Sequence, residues 1–406
     1  MFSAVLTLAA SLGALAPVAT APTSDSTRLP APTSNIRVAS HELAAPSSVG
    51  MSAAALIRAE DAVFADMEAG AFPGAALAIG RYSDVVLEEG LGSTGRGWGA
   101  APVDPDRTVY DLASLTKVVG TTTAVMLLVE DGKMRLDDFV SSYLPEFSGG
   151  GRERVTVRHL LTHTSGLPAG VDVPSGLPRQ EALLRVLRAP LLASPGSRVD
   201  YSDVGFVVLY AAAERAAGEP LYHLLDRRVF EPLGMTSTSY VFGEGCDRCA
   251  GTSRGLGSGY QGKVHDPIAR RMGGIAGNAG LFSTGHDMAR FAAMLANGGV
   301  LGEARVFSAA TVRQFTQRQP GSGSRALGWD TATRGAAGSR ASLSSFGHTG
   351  YTGTSLWIDP DRGTWVVLLA NRTYDSDSNN RMQTLRRIVN ERVAEATEGQ
   401  GLGIRD

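Results

Sequence analysis

Leu112-Ala113-Ser114-Leu115-Thr116-Lys117-Val118 opens the clearest helical pattern in the chain. The pattern runs from Leu112 to Asp131 with an apolar core between Val118 and Val129, and Gly132 stops it. Spacing i, i+3 places the Ser114 hydroxyl and the Lys117 amine on one face, within contact range. Ser114 stands in the first turn, where backbone N–H groups lack intrahelical partners and the positive helix end favours negative charge on oxygen. A lysine buried among such apolar neighbours is expected to lose affinity for its proton and to accept one from the hydroxyl. Read alone, S-x-x-K arises often by chance and fits a surface pair on an ordinary helix better than a catalytic pair.

Upstream, Ser52 is a plausible N-cap for a helix ending at Gly70, and Ala75 to Ile79 with Val85 to Glu89 predict a strand hairpin. Downstream, helical patterns dominate: Val155 to His163, Gln180 to Leu187, Val204 to Ala217 and Leu221 to Phe230, then Met288 to Ala296 and Ala309 to Gln317. Strands follow at Leu327 to Asp330, Ser344 to His348, Thr354 to Ile358 and Trp365 to Ala370, and a charged amphipathic helix from Asn379 to Ala396 closes the chain. Short turns such as Asp359-Pro360-Asp361 imply antiparallel pairing. The expected fold class is therefore α+β: an antiparallel sheet, completed by the N-terminal hairpin and flanked by helices, with an all-helical subdomain inserted at about 131–280.

Two further elements stand far from the serine in sequence: Tyr201-Ser202-Asp203, and Gly347-His348-Thr349-Gly350-Tyr351 at a C-terminal strand. With Ser114-Leu115-Thr116-Lys117, their order and spacing resemble the serine β-lactamase, DD-peptidase (penicillin-binding protein) and esterase superfamily, in which S-x-x-K, Y-x-N and K-T-G meet in one cleft. Leu160 to Leu167 and Gly273 to Thr284 resemble the same family, and the likeness covers about Ala53 to Ala396. It implies a β-lactamase/transpeptidase-like fold and an acyl-enzyme mechanism. Ser114 would attack the acyl carbonyl, Lys117 would assist its deprotonation, and Tyr201 would serve as general base and acid with cations nearby to stabilise its anion. The backbone N–H groups of Ser114 and Tyr351 would form the oxyanion hole, with Asp203, His348, Thr349 and Gly350 contacting substrate.

Two positions depart from the family pattern. Asp203 replaces the asparagine and would repel an anionic substrate unless protonated or paired with Lys117. His348 replaces the lysine and would be charged for only part of the time near neutral pH, so binding of carboxylate-bearing substrates is expected to weaken as pH rises through its titration. Both changes disfavour strong β-lactam hydrolysis. The expected substrate is a small ester, as for a carboxylesterase, or a D-amino-acid peptide derived from peptidoglycan. The rival reading is a non-catalytic or slow sensor that captures penicillin or peptidoglycan fragments.

Composition sets outer limits. The 406 residues are 43% hydrophobic and 19% charged with a formal net charge of −2, which gives no sign of a nucleic-acid partner. Residues 1–21 read as a signal peptide: Phe2 to Val18 are uncharged and mostly apolar, and Ala19-Thr20-Ala21 fits a cleavage site. The n-region carries no Lys or Arg, so an uncleaved anchor and membrane association before cleavage stay open. Export to the periplasm or the medium is the expectation, with 22–50 as a flexible linker rich in Pro, Ser, Thr and Ala, and 51–400 as the hydrolase domain.

Several local patterns have bland readings. Gly251-Thr252-Ser253-Arg254-Gly255 matches a nucleophile elbow without the strand and helix it needs, and Gly257 to Gly262 matches a dinucleotide fingerprint without a βαβ unit. Cys246 and Cys249, the only 2 cysteines, suit a local disulfide or idle thiols better than zinc, so neither metal nor organic cofactor is expected. His163 reads as structural, Trp329 and Trp357 as core or cleft-wall aromatics, and His265-Asp266 and Asn278 as loop residues that border the cleft or build it.

Overall fold

The computed structural model describes residues 43–97, 99–240, 242, 245–254, 260–332, 335–378 and 380–398. The expected signal peptide and most of the expected linker lie outside them, as do Gly255 and Gly257 to Gly259 of the two decoy motifs. Chain order begins with α1 (Ala53–Glu68) and the hairpin β1 (Gly74–Arg81) and β2 (Asp84–Gly92), followed by β3 (Tyr110–Asp111). The serine segment is a 3-10 turn (Ala113–Leu115), a π-helical stretch (Lys117–Thr122) and α2 (Thr123–Glu130). Next come α3 (Val157–Leu161), α4 (Arg179–Leu187), α5 (Asp203–Ala217), α6 (Leu221–Leu225), α7 (Glu231–Leu233) and α8 (Pro267–Arg271). The chain returns through β4 (Phe282–Ser283), α9 (Gly285–Ala296), the small hairpin β5 (Val300–Leu301) and β6 (Ala304–Arg305), and α10 (Ala309–Thr316). It ends with β7 (Asp330–Thr331), β8 (Phe346–Thr349), β9 (Ser355–Asp359), β10 (Thr364–Ala370) and α11 (Arg381–Thr397).

The main sheet has strand order β2-β1-β10-β9-β8-β7. Every neighbouring pair is antiparallel. The N-terminal hairpin joins the C-terminal strands through β1 and β10, with Leu77 opposite Leu368. Period-two alternation sorts the two faces. Leu77 and Ile79 of β1 and Val366 and Leu368 of β10 pack with Leu56 of α1 and Leu385 of α11. Ala76, Ala78, Val367 and Leu369 face the larger core instead, together with α9 and the helical region. Each such Leu or Val, fully buried, stabilises the fold by about 1.5–3 kcal/mol.

The ends of the helical insertion meet. β3 pairs with β4, Tyr110 opposite Ser283 and Asp111 opposite Phe282. In sequence, the serine helix and α3 to α8 lie between these two paired strands. Ahead of α1, Pro46–Val49 forms a 3-10 turn and Ala44 N–H donates to Val85 O at 2.9 Å. The predicted regular helix from Leu112 is instead a wider π-helical coil over Lys117–Thr122. That stretch packs tightly, since a Cβ on Gly120 would sit 2.5 Å from the Tyr240 hydroxyl oxygen. π-Helical turns of this kind concentrate at functional sites.

Candidate active site

The serine turn is anchored from several sides. Ala113, just before Ser114, has φ 47°, a left-handed conformation that costs a non-glycine residue on the order of 1–3 kcal/mol. Neighbours hold it there. Ala113 N–H donates to Asp111 Oδ1 at 2.9 Å, Leu112 N–H to Leu281 O at 3.0 Å, and Thr354 Oγ1 to Leu112 O at 2.9 Å. Gly350 fits only as glycine: a Cβ would lie 2.0 Å from Thr354 Oγ1 and 2.5 Å from Leu112 O. That close approach brings the turn after β8 against the backbone leading to Ser114.

Lys117 is fully buried and donates three hydrogen bonds, to Ser114 Oγ at 3.0 Å, Asp203 Oδ1 at 2.6 Å and Asn278 O at 3.0 Å. Burial opposes its charge, but the charges of Tyr201 and Asp203 outweigh burial and the net shift is upward. The expectation that Lys117 loses affinity for its proton is thereby corrected: an ion pair inside a low-dielectric site holds the ammonium. Asp203 is paired with Lys117, the arrangement that relieves its repulsion of an anionic substrate. Its residue opens α5, where the Ser202 side chain caps the helix by accepting from Gly205 N–H at 2.9 Å.

Tyr201 is surrounded by charge and rings. The Lys117 ammonium lies 4.9 Å from its ring centroid and the Arg325 guanidinium 5.4 Å. The His163 ring lies 4.4 Å from it and the His348 ring 6.0 Å. His163 accepts from Ser202 N–H through Nδ1 at 3.0 Å, which leaves the proton on Nε2 and locks the segment that carries Tyr201. Burial, then the charges of Arg325 and Lys117, push its pKa well below the usual imidazole range. The structural reading of His163 fits this setting.

His348 needs a correction. It is buried, and burial followed by the charges of Arg325 and Lys117 pushes its pKa well down, so it is neutral near pH 7. The expected partial positive charge, and the weakening of carboxylate binding as His348 titrates, do not fit this environment. Its Nδ1 lies 2.9 Å from Thr349 O and therefore carries the proton. Nε2 is left as a buried acceptor without a partner among the described residues.

Ser114, Tyr201, His348, Thr349, Gly350 and Tyr351 all line one cleft of about 740 Å³. Three cleft arginines, Arg325, Arg372 and Arg386, were not singled out from sequence. Each stands alone in a loop or helix far from the motifs, so no local pattern marks it. Of the loop residues, Asp266 caps α8 by accepting from Ala269 N–H at 2.7 Å and also accepts from Asn278 Nδ2 at 3.0 Å. The His265 ring sits 5.6 Å from the Tyr351 ring. Trp357 lines the cleft, and Trp329 is buried edge-on against Phe346 at 5.2 Å. Cys246 and Cys249 form a disulfide with S–S 2.05 Å, and Gly251 to Ser253 lie in irregular chain.

With this geometry in place, comparison with known proteins decides the relationship. A family model described as Beta-lactamase matches residues 59–391. The chain belongs to the beta-lactamase family. A Salmonella schwarzengrund protein described as "Putative D-alanyl-D-alanine carboxypeptidase" is 30% identical over 377 residues, covering 83% of this chain and 87% of the relative. EstCE1, described as a hydrolase with promiscuous acyltransferase activity, superposes with TM-score 0.65 at 25% identity over 83% of this chain and 99% of its own. A penicillin-binding protein homologue from Caulobacter crescentus shares the fold at TM-score 0.70 and 20% identity, over 85% and 99% of the two chains. The family and its carboxypeptidase and esterase members make this chain a serine hydrolase. The expected antiparallel sheet flanked by helices is the architecture of these neighbours.

Proposed function

We propose that the chain hydrolyses a small ester or a D-amino-acid peptide through an acyl-enzyme on Ser114. The observation that carries this reading is the 3.0 Å bond from Lys117 Nζ to Ser114 Oγ, at the wall of a cleft that Tyr201 also lines. Ser114 Oγ attacks the acyl carbonyl while its proton passes to the Tyr201 oxygen, where the two flanking cations stabilise negative charge. The proton then goes to the departing alcohol or amine. Water repeats the cycle, giving its proton to Tyr201 and expelling Ser114. Lys117 stays an ammonium that orients Oγ. The backbone N–H groups of Ser114 and Tyr351 stabilise the tetrahedral oxyanion.

Arg325 supports a substrate with a carboxylate. Its guanidinium lines the cleft beside Tyr201, and no carboxylate pairs with it among the described residues. With His348 neutral, Arg325 supplies the positive charge there. β-Lactams rank behind esters and peptides, and slow deacylation would make them inhibitors. We also propose export to the periplasm or the medium, which the Cys246–Cys249 disulfide supports. The test treats wild type and Ser114→Ala with p-nitrophenyl butyrate, a D-Ala-D-Ala peptide and fluorescent penicillin. Turnover by wild type that vanishes in the variant is expected. Turnover that survives the substitution rejects the nucleophile, and labelling without turnover favours a sensor.

A further inference from the structure

Arg386 is a buried cation on α11 whose place in the cleft is not explained by any ion pair among the described residues. Its Nη2 donates to Gly350 O and to Thr354 O, both at 2.8 Å. Its Nε is buried without a partner among the described residues. Burial, then the charge of Arg372, lowers its pKa to about 9. Desolvating a guanidinium against carbonyls alone is unfavourable for folding, where an apolar side chain of similar volume would serve better.

The carbonyl it grips belongs to a particular peptide unit. Gly350 C=O and Tyr351 N–H are two ends of one planar group, and no cis peptide bond occurs among the described residues. In a trans peptide the two bonds point in opposite directions. Holding Gly350 O against Arg386 therefore turns Tyr351 N–H the other way. The same charge polarises the amide, because a hydrogen bond accepted from a cation strengthens the N–H at the far end as a donor. The next carbonyl is held as well: Arg372 Nε donates to Tyr351 O at 2.6 Å. The Gly350–Tyr351 unit is thus fixed by arginines on both sides, and it lines the cleft with Ser114.

We infer that Arg386 is a positioning residue for the oxyanion hole: through Gly350 O it orients and polarises the Tyr351 N–H that meets the developing oxyanion. The inference rests on the proposed acyl-enzyme at Ser114 and names a role within that reaction. It differs from a substrate contact, because its effect should fall on the transition state and not on ground-state binding.

The experiment compares full-length wild type, Arg386→Ala and Arg386→Lys on a neutral p-nitrophenyl ester, with mass spectrometry and infrared spectra of the trapped acyl-enzyme. Arg386→Ala is expected to lose about ten- to a hundredfold in kcat, short of the ~10²–10³ for deleting a donor outright. KM should stay within about twofold and the acyl carbonyl stretch should move to higher frequency. Guanidinium ion added to Arg386→Ala should restore part of both, and Arg386→Lys should fall between. An unshifted carbonyl stretch in a folded variant overturns the inference, as does a loss confined to KM. If the alanine variant fails to fold, the lysine variant decides on the same two readouts. Absence of any Ser114 adduct in wild type would remove the acyl-enzyme itself, and the role of Arg386 with it, and mass spectrometry reports that outcome separately.

Discussion

Among the described residues, a polar cluster beside the hairpin and the cluster in the cleft use histidine in opposite ways. Behind the hairpin, His286 Nδ1 stands 3.2 Å from Glu88 Oε1 and 3.7 Å from Asp106 Oδ1. Burial opposes charge on His286, yet the hydrogen bond to Glu88 and the charges of Glu88 and Asp106 outweigh it and raise its pKa. In the cleft, His163 and His348 have Arg325 and Lys117 for neighbours, and both are pushed down. Burial disfavours charge in all three imidazoles, so the sign of the neighbours decides between them. The first cluster sets its imidazole between two carboxylates inside the fold. The second leaves a serine hydroxyl, an imidazole acceptor and a guanidinium facing the cleft, which suits catalysis and not stability.

That contrast predicts which changes harm activity and which harm the fold. After the loss of turnover in Ser114→Ala, the largest effect is expected from Tyr201→Phe, a loss of about 10²–10⁴-fold in kcat with a thermal midpoint close to wild type. A midpoint that collapses together with activity would mean that the cleft cluster also holds the fold. Glu88→Gln should do the reverse. It should cost about 1–3 kcal/mol of unfolding free energy by urea titration while ester turnover stays within about twofold.

A subtler effect lies in the pH dependence of stability. His348 and His163 have folded pKa values below the unfolded value near 6.5, so the unfolded chain takes up their protons first. Their contribution is present above about 6.5 and lost as pH falls below it. His286, with a raised folded pKa, contributes in full below about 6.5 and loses that contribution as pH rises through its folded value. Urea titrations across pH 5 to 8 should therefore show His348→Gln removing part of the acid-side loss and His286→Gln part of the alkaline-side loss. Changes of the same sign in both variants would contradict the assignment.

The sequence by itself determined the elements and the chemistry that distant motifs supply. Apolar runs at Ala75 to Ile79 and Trp365 to Ala370 marked strands, and the apolar run from Val118 to Val129 marked a core helix. The i, i+3 spacing of Ser114 and Lys117 survived even where the helix widened, because both side chains belong to one local turn. Only the tertiary structure decided which groups carry charge. Lys117 gained a partner 86 positions away in Asp203, His348 was left among arginines, and Arg386 reached Gly350 from the last helix. A side chain's protonation depends on desolvation and on charges within several ångströms. Those neighbours come from remote parts of the chain, so no local pattern of residues encodes them.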